Sequence, residues 1–375
     1  MKSHIQRVII YTTFILITAA LTPSAWAVPM WSRRYSVPCS VCHSSPSLQL
    51  TSTGLDFFRK GHRFDKDTFD KDLSHLLSAH IEAQYSVEKG TASQFTKPDF
   101  HFHAGGAVSE NFSTYVDANV NNDFEAVYGQ GTWAAGKESF FTARAGKLNP
   151  TIIRNYAGGL MASASTPLII TDTTLGSNPF TPARGSFGVT VAGGWKSLFF
   201  EGGIVNGEDI PGQAAVNRHK DTYVSAEYAL PDGISGVGAY YHRGGYDIGD
   251  PAAMTFDRYD RAALFANFTR DKYRVAGAYL TGKDSLATQP RPKISGYYVQ
   301  GDFHPVDRVT PFVRYEYSKT DVGSDSTRQR KATLGCSLKV YETEVSGGRL
   351  VIEGARNNTG DGRTNSALVS LLLAF

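Results

Sequence analysis

From about Ser78 onward the residues alternate, apolar then polar, and this period of two leaves few folds open. Ile81, Ala83, Tyr85 and Val87 alternate with His80, Glu82, Gln84 and Ser86; Val313, Tyr315 and Tyr317 alternate with Arg314, Glu316 and Ser318. Successive side chains of a strand point to opposite sides, so each such stretch has an apolar, aromatic face and a polar, often charged one. The pattern predicts about sixteen strands, an even number of the kind outer-membrane barrels use. They fall at roughly 78–88, 98–108, 112–121, 124–134, 139–147, 186–195, 198–206, 220–230, 233–243, 260–269, 272–281, 293–303, 310–319, 330–340, 344–356 and 364–375. Every second link is short, as at Ser109-Glu110, Trp195 to Ser197 and Pro231 to Gly233. The alternate links, at 148–185, 207–219, 244–259, 282–292 and 320–329, are long and rich in Gly, Pro and Asp, with Asn122-Asp123 the short exception. A soluble sandwich also alternates, but its strands are shorter and its links lack this asymmetry. The expected fold is all-β: an antiparallel outer-membrane β-barrel of about sixteen strands, apolar faces to lipid and polar faces to the lumen, behind a small, partly helical N-terminal segment. Ala367, Val369, Leu371, Leu373 and Phe375 form a last apolar face with an aromatic end. An edge of this kind aggregates unless paired, and closure onto the strand near Ser78 would pair it.

Composition agrees. The 375 residues include 37 Gly, 19 Tyr and 22 Phe against 4 Met and 3 Cys, with a formal net charge of +3. A nearly neutral chain gives no reason to expect a nucleic-acid partner. Lys2 and Arg7, the apolar run Val8–Leu21 and Ala25-Trp26-Ala27 read as a signal peptide over 1–27; a membrane anchor would need a longer run, of about 20 residues. The expected division is 1–27 signal peptide, 28–77 N-terminal segment and 78–375 barrel.

The segment carries Cys39-Ser40-Val41-Cys42-His43, the Cys-x-x-Cys-His pattern of covalent c-type haem attachment. Two thiols on one turn can each form a thioether to a vinyl group, and the next residue supplies the proximal imidazole. A redox disulfide would have no need of His43. Half of a zinc site would need two more ligands at similar spacing, and the remaining cysteine, Cys336, is far along the chain. About fifty residues bury little core alone. Trp31, Phe57, Phe58 and Phe64 are candidates to pack on a haem or to form a generic small core. Leu55, Phe58 and His62 recur at helical spacing, with Gly61 as a helix stop.

Arg33-Arg34-Tyr35-Ser36-Val37-Pro38 leading into the motif, followed by Pro46, Gly54, Phe58, Arg59 and Gly61, resembles the fused outer-membrane monohaem cytochrome–porins known from iron-oxidising bacteria. The match is specific around the motif and only architectural over the barrel. The chain is short for that family, and His62 stands where its members carry an aromatic residue. The resemblance implies one covalent haem c and electron transfer across the outer membrane, with ferrous iron or another external donor or acceptor on one side. Periplasmic cytochromes or other redox carriers would serve on the other. Two alternatives stay open: a solute-conducting porin with a haem-bearing plug, and a haem enzyme acting on a small substrate, which needs an open axial position.

His43 is the proximal ligand by position. His62 is the favoured distal ligand, with a surface role at a helix end as the plain alternative. Met30 is the local substitute, and Met161 and Met254 fall in expected extracellular loops. By parity His80, Glu82, His101 and His103 face the lumen. A hairpin turning near residue 93 would set His103 against Glu82 and His101 against Gln84, a cluster able to bind metal, ligate haem or relay protons, or simply to line a polar lumen. The loop 148–185 is expected to plug the lumen or cover the outer mouth, with Arg154, Asp172 and Arg184 toward a donor. Cys336, on one face with Leu334 and Leu338, reads as a small lipid-facing residue.

Overall fold

The computed structural model describes residues 29–375 except 44–48, 65–66, 97, 121–123, 137, 158–160, 172–179, 184, 208–218, 249–254, 287–290, 344–345 and 361. The expected signal peptide, Asp172, Arg184, Met254 and the Asn122-Asp123 link therefore lie outside the described residues.

Among the described residues, sixteen long antiparallel strands and one two-residue strand close into a single barrel. They are β1 (Leu77–Glu88), β2 (Gln94–Phe95), β3 (Asp99–Ala107), β4 (Phe112–Asn119), β5 (Phe124–Ala134), β6 (Ser139–Leu148), β7 (Ser186–Trp195), β8 (Leu198–Val205) and β9 (Asp221–Ala229). The second half comprises β10 (Gly236–Ile248), β11 (Thr255–Arg270), β12 (Tyr273–Leu286), β13 (Lys293–Phe303), β14 (Val309–Val322), β15 (Asp325–Glu342), β16 (Gly347–Thr359) and β17 (Gly362–Ala374). From β3 onward each strand pairs with the next, while the short β2 prolongs β3 along β1. The ring shuts where β1 meets β17, with His80 opposite Ala374 and Glu88 opposite Ser366. Phe375 and Ala79 exchange both main-chain hydrogen bonds at 2.9 Å.

The outer face is apolar. Leu264, Val313, Leu334 and Phe200 are exposed there, and Cys336 lies on that face beside Leu334. Toward the short-link rim the outer face turns aromatic, with Phe112, Trp133, Trp195, Tyr273 and Phe303 exposed and Phe112 edge-on to Trp133 at 5.9 Å. Water would not tolerate such a continuous apolar belt; hydrocarbon with an interfacial aromatic girdle would.

The strands reach further than alternation indicated. The expected long link 320–329 is a turn at Gly323-Ser324 between β14 and β15. The strand ends there carry Lys319, Asp321, Arg328 and Arg330 in continuous register. Charged residues hid the strand because ladder bonds need no apolar face. Likewise β10 runs to Ile248 and β12 to Leu286, shortening the expected loops 244–259 and 282–292.

Part of the lumen is occupied from within. The described part of the stretch between β6 and β7 runs inward, and α3 (Thr151–Ala157) and α4 (Leu168–Thr171) bury Ile152, Ile153, Ile169 and Ile170 completely or nearly so. Leu168 N–H donates to Glu316 at 2.6 Å and the Tyr298 hydroxyl donates to the Tyr156 carbonyl at 2.5 Å. Lumenal ion pairs such as Arg261–Asp284 at 2.7 Å and Arg314–Glu316 at 2.9 Å are buried. Of the two placements considered for this loop, the lumen is the one observed.

A charge on the outer face tests the solvent it meets. Leu264→Arg should cost up to about 4 kcal/mol when the barrel is refolded into lipid vesicles and titrated with denaturant; on a water-facing strand the same change would be close to neutral.

Candidate functional site

The N-terminal segment is seated inside the short-link rim. It comprises α1 (Pro29–Tyr35), a 3₁₀ turn over Cys39–Val41, α2 (Ser52–Arg59) and a second 3₁₀ turn over Leu73–His75. The Cys39 carbonyl accepts from both Cys42 N–H (3.1 Å) and His43 N–H (2.9 Å), so both thiols and the imidazole spring from one turn of chain. α2 is fastened to that turn by its N-cap. Thr51 accepts from Gly54 N–H at 3.1 Å, donates its hydroxyl to the Val41 carbonyl at 2.6 Å, and gives its own N–H to the Cys42 carbonyl at 2.9 Å. Gly54 lies against the turn so closely that a Cβ would sit 2.1 Å from the Cys42 oxygen. The helix ends as expected at Gly61, whose φ is +86°, followed by His62 at φ +60°.

The seating uses main-chain oxygens of the wall. Arg63 donates to the carbonyls of Ser109 (3.2 Å), Glu110 (2.5 Å) and Thr132 (3.2 Å). Ser52 N–H donates to Gly233 at 2.6 Å, and Gln130 reaches the Arg59 carbonyl at 2.7 Å. Arg59 forms a buried ion pair with Glu227 of β9 at 2.7 Å.

Between segment and wall lies a cavity of about 460 Å³, within the range of small-molecule and cofactor sites, about 300–1,000 Å³. Cys39, Cys42 and His43 line it from the segment, together with Trp31, Phe57, Phe58, Phe64 and His62. His80 and Glu82 of β1, His101 and His103 of β3, and Tyr115 of β4 line it from the wall, with Arg349 of β16. The aromatic side chains form one cluster: Trp31 meets Phe57 at 5.3 Å, and Phe57 meets Phe64 at 4.8 Å. Cys39 and Cys42 are free thiols, and burial pushes the pKa of each up to about 11.

His62 is buried, its ring stacked on Trp31 at 4.2 Å and close to Tyr115 at 4.7 Å. The surface role considered for it does not hold. Met30 is buried in the main apolar cluster and is not among the cavity's lining residues. Met161 is not in an outer loop but inside the barrel, where its carbonyl accepts from Arg349 at 2.8 Å.

The wall histidines do meet, in a register other than the expected one. The first hairpin turns at Lys89-Gly90, with Gly90 at φ +95°, and not near residue 93. His103 is therefore opposite Ser78 and His101 opposite His80, not Glu82 and Gln84. The His80 and His101 rings stack at 4.3 Å, and His80 Nδ1 lies 2.8 Å from His103 Nε2. His103 Nδ1 lies 3.0 Å from the Tyr115 hydroxyl, and His101 Nδ1 lies 2.8 Å from Asp117. Among the described residues no group of three or more His, Cys, Asp or Glu side chains is arranged to hold a metal ion. The cluster is a hydrogen-bonded stack. Tyr115 and Asp117 share the lumenal parity of the histidines in sequence, but only the register brings them to this point. Arg349, far along the chain, carries no local signal.

No family model matches the chain, and no curated protein matches it. Solved structures match its fold. A loop-deletion form of OmpT, an outer membrane protein of Vibrio cholerae, aligns with a TM-score of 0.60 at 11% identity, covering 80% of this chain and 98% of that one. OmpF of Salmonella typhi in complex with daunomycin gives 0.58 at 11%, covering 80% and 97%. An anion-selective porin from Comamonas acidovorans gives 0.54 at 11%, covering 80% and 98%. The fold is thus a closed sixteen-stranded antiparallel barrel of porin type.

Gly54→Ala separates close packing from helix propensity. In an open helix the change should stabilise by roughly 1 kcal/mol; against the Cys42 carbonyl it should instead cost about 1–3 kcal/mol. Limited proteolysis should then cut within 29–76 sooner than in wild type, while the strands stay protected.

Proposed function

We propose that this chain is an outer-membrane barrel that holds one covalently attached c-type haem between its N-terminal segment and its inner wall, and that it serves electron transfer through the membrane. The observation that carries this reading is the single turn bearing Cys39, Cys42 and His43, open to an apolar-walled cavity of about 460 Å³. The donor set fits the group: two thiols at thioether spacing, one imidazole, and aromatic walls for the apolar faces. When bound there, haem supplies one-electron chemistry at a potential tuned by its second axial ligand and its burial.

The chain's own residues do the rest. Cys39 and Cys42 would anchor the group through two thioethers, and His43 would ligate its iron. Trp31, Phe57 and Phe58 keep water away from that side. The buried isoleucines of α3 and α4 narrow the lumen beside it. The apolar belt and aromatic rim support an outer-membrane location, with the short links on the periplasmic side as is usual for such barrels. Periplasmic cytochromes or other redox carriers would then meet the segment, and an external donor such as ferrous iron, or an acceptor, would approach from the far side.

The likeness to porins supports a second reading more directly than the first: a solute-conducting pore in which the segment is a plug. The buried lumenal pairs Arg261–Asp284 and Arg314–Glu316 speak against an open water-filled channel at their level, because walls of an aqueous channel are wet.

Pyridine haemochrome assay of the purified protein should give one haem per chain, and Cys39→Ser/Cys42→Ser protein should be colourless. In proteoliposomes, wild type should reduce an enclosed dye from an external reductant, and the double mutant should not. Colourless wild-type protein, or sugar uptake at porin rates with no electron transfer, would overturn the first reading; the sugar uptake would establish the second.

A further inference from the structure

The reading above leaves the sixth position of the iron unassigned. We propose that His80, not His62, occupies it, and that His103 and Tyr115 hold the His80 ring in place; this rests on the haem reading of the cavity.

Elimination among the side chains at hand leads there. Met30 is fully buried in the main core cluster and is not among the cavity's lining residues. The His62 ring is held flat on Trp31 at 4.2 Å, with Tyr115 at 4.7 Å and Phe58 at 5.5 Å around it. Swinging that ring to meet an iron would give up the stack on Trp31. His101 has both nitrogens engaged, Nδ1 with Asp117 at 2.8 Å and Nε2 with the Asn119 amide at 3.2 Å. His103 is likewise engaged on both sides, with Tyr115 at 3.0 Å and His80 at 2.8 Å.

His80 differs. Its Nδ1 is taken by His103, and among the described residues no hydrogen bond reaches its Nε2, while the residue lines the cavity with Cys39, Cys42 and His43. An imidazole fixed through one nitrogen presents the other in a set direction, the usual way a ligating histidine is oriented. Stacking on His101 at 4.3 Å and an interplanar angle of 14° stiffens it further. Ligation through Nε2 also sets the direction of the relay. His80 Nδ1–H must donate to His103 Nε2, and His103 Nδ1–H must then donate to the Tyr115 oxygen.

The full-length, haem-loaded protein decides the matter. Wild type should be low-spin in the ferric state and should not bind carbon monoxide when reduced. His80→Ala, at unchanged haem content by pyridine haemochrome, should become high-spin, bind carbon monoxide and return to low-spin with added imidazole. His80→Met should stay low-spin but raise the midpoint potential, as thioether ligation does. His103→Ala should move the potential while keeping the haem, and His62→Phe should keep the low-spin spectrum. Haem-loaded His80→Ala that stays low-spin unaided overturns the assignment. So does an unchanged potential in His80→Met, a high-spin His62→Phe, or a wild type that binds carbon monoxide. Wild type without haem would instead sink the haem reading itself, and this assignment with it.

Discussion

A strand in hydrocarbon cannot leave its main-chain N–H and C=O groups unpaired, because no water is there to satisfy them. The seam between β1 and β17 meets that demand, pairing His80 through Glu88 with Ala374 through Ser366. Once the ring closes, every strand has one face outward and one inward, and the inward faces carry the charges. Those charges, in turn, need partners away from bulk water. Arg261, Arg274 and Arg314 find theirs on the wall, with Asp284, Asp302 and Glu316, and Ser163 and Ser165 of the inward stretch accept further hydrogen bonds from Arg314.

The segment has the opposite difficulty. Its helices are too short to be stable alone, and its aromatic residues exceed what so few residues can bury by themselves. Inside the barrel it gains a second wall. Arg59 reaches Glu227, Arg63 reaches three carbonyls, and the Trp31–Phe57–Phe64 cluster closes over the Cys39–His43 turn. The cavity thus belongs to neither part alone: its lining comes from residues before Leu77, from strands, and from the inward stretch through residues such as Ile153 and Ser163.

Much of this was legible in the residues. Alternation assigns faces, and so it placed His80, His101 and His103 on the lumenal side. The Cys-x-x-Cys-His spacing forces one turn, and the structure has it. Alternation does not assign register, because a slip of two or four residues keeps every face. The turn at Lys89-Gly90 therefore moved His103 from Glu82 to Ser78 without disturbing parity. Charged strand ends such as Asp321 and Arg328 carry no apolar signal, and so they read as loop. The inward course of Tyr156, Met161 and Leu168 depends on pairing with Tyr298, Arg349 and Glu316, which are distant in sequence, so nothing local could have chosen between lumen and mouth.

Arg63 holds the rim through main-chain oxygens, which every amino acid supplies. Substitutions at Ser109, Glu110 or Thr132 can accumulate without removing an acceptor. At those three positions the join depends on the segment's guanidinium and not on the identity of the wall residue, whereas Glu227 and Gln130 hold the segment through their own side chains.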